Sequence, residues 1–69
     1  MRDLWTLTYW RKGHENEKRC FHFVDQDLLL LVIKDKIRDG LEFSCEWRED
    51  LEDEVVEGIL TEQLPYIHW

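Results

Sequence analysis

Cys20 and His22 are the two side chains in this sequence that could carry out nucleophilic chemistry together. They stand two positions apart, so on a strand they point to the same side and place a base near a thiol. The alternative is that both belong to an ordinary strand surface. Ser44 offers no comparable arrangement, because no histidine lies near it in sequence and no glycine elbow surrounds it. A histidine beside a cysteine on a strand is more often part of an ordinary surface, and we prefer that interpretation here. We therefore expect no catalytic residues and no enzyme activity.

A metal site would have to draw on the cysteines and histidines, namely Cys20, His22 and Cys45, with His14 or His68 as a fourth ligand. Neither a C-x-x-C nor an H-x-x-x-H spacing, which are usual signatures of metal sites, occurs in the chain. Cys45 alternates with Phe43 and Trp47, a pattern that indicates a buried strand face. We expect no metal ligands, and two reduced thiols rather than a disulfide.

Cofactor-binding loops and paired catalytic acids find no support either. Gly13, Gly40 and Gly58 are scattered along the chain, so no glycine-rich loop is available to cradle a phosphate. Carboxylates are frequent over residues 49–57, but an exposed acidic ridge does not shift pKa values as a buried acid–base pair does. The sequence therefore predicts no cofactor.

Three segments show the period-2 alternation of strands with one buried face: residues 4–11, 19–24 and 41–48. The polar stretch 12–18 predicts a hairpin loop between the first two, which makes them antiparallel. The side predicted to face the core comprises Trp5, Leu7, Tyr9, Phe21, Phe23, Leu41, Phe43, Cys45 and Trp47. The opposite side comprises Thr6, Thr8, Trp10, His22, Ser44 and Glu46.

Residues 27–39 begin with an apolar run, 28–33, and continue with charged residues. Such a run fits either a central strand or a helix. The length of the pattern, a capping carboxylate at Asp25 or Asp27 and a closing Gly40 favour the helix. We expect one stripe of this helix to cover the sheet: Leu29, Leu30, Ile33 and Ile37. The opposite stripe, Leu28, Leu31 and Val32, then needs a separate partner, either the C-terminal segment or a second subunit.

A second helix is predicted over residues 50–63, with an apolar face formed by Leu51, Val55, Val56, Ile59 and Leu60. Four acids, Asp50, Asp53, Glu54 and Glu57, have the spacing of another helix face. Pro65 should end the helix. The apolar tail 66–69 should fold back on the sheet or meet a partner.

These elements predict one small α+β domain over residues 1–69, in the order strand, strand, helix, strand, helix. The short connections favour a three-stranded antiparallel sheet in the order 2-1-3, covered by one helix, with an acidic helix at the C-terminus. The run 28–33 is too short to span a membrane, and the first residues lack the apolar core of a signal peptide. We therefore expect a cytoplasmic protein.

The net charge of −7 arises in residues 42–69. Residues 1–41 hold eight bases and seven acids, whereas residues 42–69 hold nine acids and a single base, Arg48. Such a region would repel a phosphate backbone, so we expect no direct nucleic-acid binding. An acidic surface of this kind can instead steer a basic protein surface toward the chain at long range.

The sequence therefore predicts a small acidic, non-enzymatic inhibitor that occupies a basic, nucleic-acid-handling surface of another protein. In size and composition the chain is similar to phage-encoded inhibitors of restriction or CRISPR systems. This analogy implies a viral protein, and one way in which such an inhibitor can act is as a DNA mimic. The expected partner-binding residues are Glu46, Glu49, Asp50, Asp53, Glu54, Glu57 and Trp10. The sequence leaves open whether Trp10 is exposed or lies beneath the second helix or the tail.

An alternative from a different functional class is a structural homo-oligomer, such as a homodimer. In that case Leu28, Leu31 and Val32 form a two-fold interface, and the acids only maintain solubility.

Overall fold

A computed structural model of the chain describes residues 1–63, so the predicted helix end at Pro65, the tail 66–69 and the candidate ligand His68 lie outside the described residues. Its elements are β1 (Arg2–Trp10), a short 3-10 helix (Glu15–Glu17), β2 (Arg19–Phe23), α1 (Gln26–Arg38), β3 (Glu42–Leu51) and α2 (Asp53–Glu62). The three strands form an antiparallel sheet in the order β2-β1-β3. The predicted α+β class, element order and strand order are confirmed. Within the described part, no helix is both long and apolar enough to cross a membrane.

The central strand β1 supplies the middle of the core. Trp5 stands opposite Phe23 on β2 and opposite Trp47 on β3, which fixes the register on both sides. One cluster of buried side chains joins the sheet to α1: Leu7, Tyr9, Phe23, Leu29 and Val32. Phe21 and Phe43 pack against this cluster from the neighbouring strands. The predicted core side of β1 and β2 is therefore confirmed.

The two ends of α1 are closed by the residues that the sequence indicates. Of the two candidate caps, Asp25 takes the role, and its Oδ1 accepts hydrogen bonds from the amides of Asp27 (2.9 Å) and Leu28 (3.4 Å). At the other end Gly40 has a φ of 76°, and its N–H donates to the carbonyl of Ile37 at 3.1 Å. A left-handed residue at this position is the usual way to end a helix, and glycine adopts it without steric cost.

The sheet-facing side of α1 differs from the predicted stripe. Leu29, Val32 and Lys36 are buried and Ile33 is half-buried, whereas Leu30 and Ile37 are exposed. The prediction of a sheet-covering stripe with Leu30 and Ile37 was therefore wrong. So was the assignment of Val32 to an outer stripe, since only Leu28 and Leu31 of that set are exposed. The helix is rotated about its axis relative to the prediction because Lys36, rather than Ile37, enters the core.

Lys36 is fully buried, although charged residues seldom are. Its ammonium nitrogen lies 4.3 Å from the ring centroid of Tyr9, which is itself in the core cluster. The face of an aromatic ring attracts a cation, and the attraction grows when water is excluded. The methylene stem of the lysine meanwhile fills the space beside the apolar residues of α1.

The strand β3 is only partly covered. Phe43 is half-buried as predicted, but Cys45 is exposed and Trp47 is 58% exposed, so their assignment to the core was wrong. The strand lies at one edge of the sheet, and the core cluster beneath α1 is centred on β1 and β2. The apolar alternation of β3 therefore extends past the area that α1 covers.

A β-bulge carries β3 beyond its predicted end at residue 48. Arg2 pairs with Leu51 and Leu4 with Arg48, so Glu49 and Asp50 together stand opposite Asp3. Asp50 has a φ of 57°, and its N–H donates to Oδ1 of Asp3 at 3.2 Å. Asp50 is therefore in the strand and not in the second helix.

α2 packs on the opposite side of the sheet from α1. Val56 is fully buried and Leu4, which points away from the α1 cluster, is also fully buried. Ile59 and Leu60 are half-buried, whereas Val55 is 48% exposed. The predicted apolar face of this helix is thus confirmed for Val56, Ile59 and Leu60 and wrong for Val55. It is also wrong for Leu51, which belongs to β3.

Replacing Asp50 tests the backbone strain at the bulge. Asp50→Gly should raise the free energy of unfolding by about 0.5 kcal/mol, because glycine adopts positive φ without steric cost. Asp50→Val should lower it by about 1–2 kcal/mol, because a β-branched side chain is strained there. Urea denaturation of both variants measures the difference. Equal stability of the glycine and valine variants would contradict a left-handed residue at this position.

Reversing the charge of Lys36 tests its place over Tyr9. Lys36→Glu should lower the free energy of unfolding by about 3 kcal/mol or more, because a buried carboxylate would face the negative side of the ring. Lys12→Glu makes the same change of charge at an exposed loop residue and should change stability by less than about 0.5 kcal/mol. Comparable losses in the two variants would show that Lys36 is not buried.

Candidate partner-binding surface

The β3–α2 junction concentrates exposed acids at one end of the molecule. We call this group the acidic corner, and it comprises Glu49, Asp50, Glu52, Asp53, Glu54 and Glu57, all exposed. The bulge places the first two at the end of β3. Glu52 is the only residue between β3 and α2, and its carbonyl accepts the amides of Val55 (3.0 Å) and Val56 (3.1 Å). The corner is therefore built on hydrogen-bonded backbone at the end of a strand and the start of a helix.

Part of this charge has a local structural use. Glu52 provides no side-chain cap for α2, so Asp53 and Glu54 in the first turn are the acids that oppose the positive end of the helix dipole. Asp53 Oδ1 lies 3.6 Å from the amine of Met1, and Glu57 Oε1 lies 3.3 Å from Nη1 of Arg2. These pairs are exposed, and exposed pairs contribute only about 0–1 kcal/mol each.

The remaining acids of the corner are not neutralised locally. Within residues 1–63, no ion pair joins Glu49, Asp50, Glu52 or Glu54 to a cation of the chain. The predicted helical face of four acids is not formed as such, because Asp50 lies in β3. Only Leu51 and Glu52 separate Asp50 from the start of α2 at Asp53, so the sequence-predicted acids still meet at one junction.

Two predicted partner-binding residues lie apart from the corner. Trp10 is at the far end of β1, where it pairs with Glu42, whereas Arg2 pairs with Leu51 beside the corner. Eight residues of strand separate the two ends, or about 26 Å. Glu46 lies between them and its Oε1 is 3.5 Å from Nε of Arg48. The structure therefore does not join Trp10 to the acids in a single site.

Trp10 itself is half-buried rather than fully exposed. The ammonium of Lys18 lies 4.5 Å from its ring centroid, and the indole N–H is buried with no acceptor in the described part of the chain. Gln63 follows the last residue of α2 and accepts a hydrogen bond from the N–H of His22. In the sheet, His22 pairs with Thr6. Because Thr6 is four residues from Trp10, α2 ends short of Trp10.

His22 and Gln63 connect the end of α2 to the sheet. The His22 N–H donates to Oε1 of Gln63 (2.9 Å), and Nε2 of Gln63 donates to the His22 carbonyl (3.2 Å). One side-chain amide thus bonds the backbone of the edge strand β2 as a neighbouring strand would. Nothing in the sequence pattern pointed to Gln63, because its partner lies 41 residues away.

The His22 ring and the two cysteines are not assembled into a common site. Nδ1 of His22 is 2.9 Å from Oγ1 of Thr6, while Cys20 is exposed opposite Thr8. Cys45 stands opposite Leu7, so it lies on the other side of the sheet from Cys20. Although Cys45 is exposed, partial desolvation raises the pKa of its thiol, which makes it less ionised than an ordinary cysteine. In residues 1–63, no group of three or more histidines, cysteines and acids is placed to hold a metal ion.

Comparisons with protein-family models, with curated proteins and with solved structures found no match to the chain. A functional proposal therefore has to rest on the surface chemistry described above.

Acidification tests the environment of His22. Burial, and to a smaller degree the positive charge of Arg48, lower the pKa of His22 below its ordinary value of 6.5. The unfolded chain then binds more protons than the native chain, so the stabilising contribution is complete above pH 6.5 and is lost as the pH falls through the lowered native pKa.

The free energy of unfolding of the wild type should consequently decrease more between pH 7.5 and pH 5.5 than that of His22→Asn. Urea denaturation at several pH values measures both slopes. His14→Asn, which removes an exposed imidazole, serves as the control variant. Identical pH slopes for the wild type and His22→Asn would show that His22 ionises as freely in the fold as in the unfolded chain.

Proposed function

We propose that this protein is a small, non-enzymatic inhibitor whose acidic corner occupies a basic, nucleic-acid-handling surface of another protein. The partner's surface would be one that normally contacts phosphates, so the protein would compete with nucleic acid for it. The analogy with phage-encoded inhibitors of restriction or CRISPR systems, and DNA mimicry as the mode of action, belong to the same proposal.

One observation supports this proposal most directly: Glu49, Asp50, Glu52 and Glu54 lie close together and exposed, and no cation within residues 1–63 forms an ion pair with them. Crowded like charges repel one another and destabilise a compact fold. A domain of this size is only marginally stable, so the repulsion that accompanies a net charge of −7 is a cost to its fold. A role of these charges in binding a partner would explain why the chain carries them.

The backbone of the corner suits this use. The residues sit on a bulged strand end, at the N-cap of a helix and on its first two turns rather than on a long loop. The backbone of such elements needs little ordering when the carboxylates bind, which removes the backbone part of the entropy cost of association. An acidic surface of this kind increases the association rate with a basic partner and does so less at high salt.

Neutralising the corner tests the proposal. The immobilised protein is incubated with a nuclease-treated lysate of a host cell, and bound proteins are then displaced with duplex DNA. A protein that the DNA displaces should bind about tenfold or more weakly to the triple variant Glu49→Gln, Glu52→Gln, Glu54→Gln, because three attractive charges are removed. Association rates at two salt concentrations complete the measurement.

The matched control is the triple variant Glu15→Gln, Glu42→Gln, Glu62→Gln, which makes the same change of net charge at exposed acids away from the corner. It should retain wild-type affinity. If DNA displaces nothing, or if the two triple variants bind the displaced protein equally well, the acidic corner is not the binding site.

A further inference from the structure

The outer side of α1 carries apolar side chains that the described part of the domain, residues 1–63, does not cover. Leu31 is 61% exposed, Ile37 is 59% exposed and Leu30 is 49% exposed. Leu31 lies on the side of the helix away from Leu29 and Lys36, which face the sheet, and Leu30 and Ile37 lie along one flank. Exposed apolar side chains grouped in this way indicate a contact with another helix or chain.

Charges on this outer side are arranged in a self-complementary way. Asp27, Leu31, Lys34 and Arg38 follow one another at the spacing of a single helix face, and all four are exposed. The face therefore has an acid at its start, an apolar residue and a lysine near its middle, and an arginine at its end. Reversing the direction of the helix places the acid where the arginine was.

We propose that α1 binds the α1 of a second copy of this chain, with the two helices antiparallel about a two-fold axis between Leu31 and Lys34. This axis places Asp27 of each copy beside Arg38 of the other. It also places Leu31 beside the methylene stem of Lys34, and Leu30 near Ile37 along one margin of the contact. The guanidinium of Arg38 already bonds Asp35 on its own helix, and its remaining donors can bond the second carboxylate.

The distribution of charge favours a second copy over the basic partner of the acidic corner. Residues 25–39 hold four acids and three bases, so α1 is close to neutral in a strongly acidic protein. The acidic corner adjoins α2, which lies on the other side of the sheet from α1. Two copies that meet through α1 therefore keep their acidic corners apart and available. The dimer is independent of the proposed inhibitory function, and either can fail alone.

Sedimentation equilibrium tests the dimer, with wild-type chain at concentrations up to about 1 mM. The wild type should dimerise. Leu31→Lys should weaken dimerisation by roughly a hundredfold. The two-fold axis applies the substitution twice, and each substitution removes a leucine that becomes buried only in the dimer. Val55→Lys introduces the same charge at an exposed apolar residue of α2 and should leave dimerisation unchanged. Far-UV circular dichroism confirms that each variant is folded.

Exchanging charges tests the antiparallel arrangement. Asp27→Arg alone places two arginines together at each end of the contact, and Arg38→Asp alone places two acids together, so each variant should dimerise at least about tenfold more weakly than wild type. An equimolar mixture of the two variants restores an acid beside an arginine at both ends. The mixture should therefore form a heterodimer, which native mass spectrometry distinguishes by mass.

A wild-type chain that remains monomeric at the highest concentration would overturn the proposal. So would a dimer that Leu31→Lys does not weaken, because it would form through another surface. A mixture of the charge variants that fails to form a heterodimer would overturn the antiparallel pairing of α1 with itself.

Discussion

The fold depends on one strand, β1, that is hydrogen-bonded on both edges and buried on both faces. Leu7 and Tyr9 point to α1, while Leu4 points to the side covered by α2, and all three are buried. Burying a side chain of this size contributes about 1.5–3 kcal/mol. In so small a domain, one strand contributes buried side chains to both apolar layers, so few core residues are needed. Both helices pack against this strand, which sets their positions.

This arrangement separates two surfaces of different chemistry. The side of α1 is apolar and nearly neutral, whereas the corner between β3 and α2 is acidic. The sheet lies between α1 and α2, so the two surfaces are on different sides of the domain. The bulge at Asp50 matters here, because it extends β3 to the start of α2 and brings the acids of a strand and a helix to the same place.

Much of the candidate site was predictable because its signals are local. The excess of acids after residue 41 is visible in the sequence, and short-range sequence distance alone keeps residues 49–54 together. The ion pairs of Asp53 and Glu57 were not predictable, because their partners, Met1 and Arg2, are brought to them by strand pairing across most of the chain. For the same reason the separation of Trp10 from the acids was not predictable, because it is set by the pairing of β1 with β3.

The types of the elements, their order and the ends of α1 follow from local features of the chain. Alternation of apolar residues, the Asp25 cap and the left-handed Gly40 act over a few residues and need no distant partner. The tertiary structure alone decided which side of α1 faces the sheet, that Lys36 could be buried over Tyr9, and that Cys45 and Trp47 remained outside the core. These outcomes depend on how one element is rotated and placed against another. Such placement is decided by the packing of side chains that are far apart in sequence.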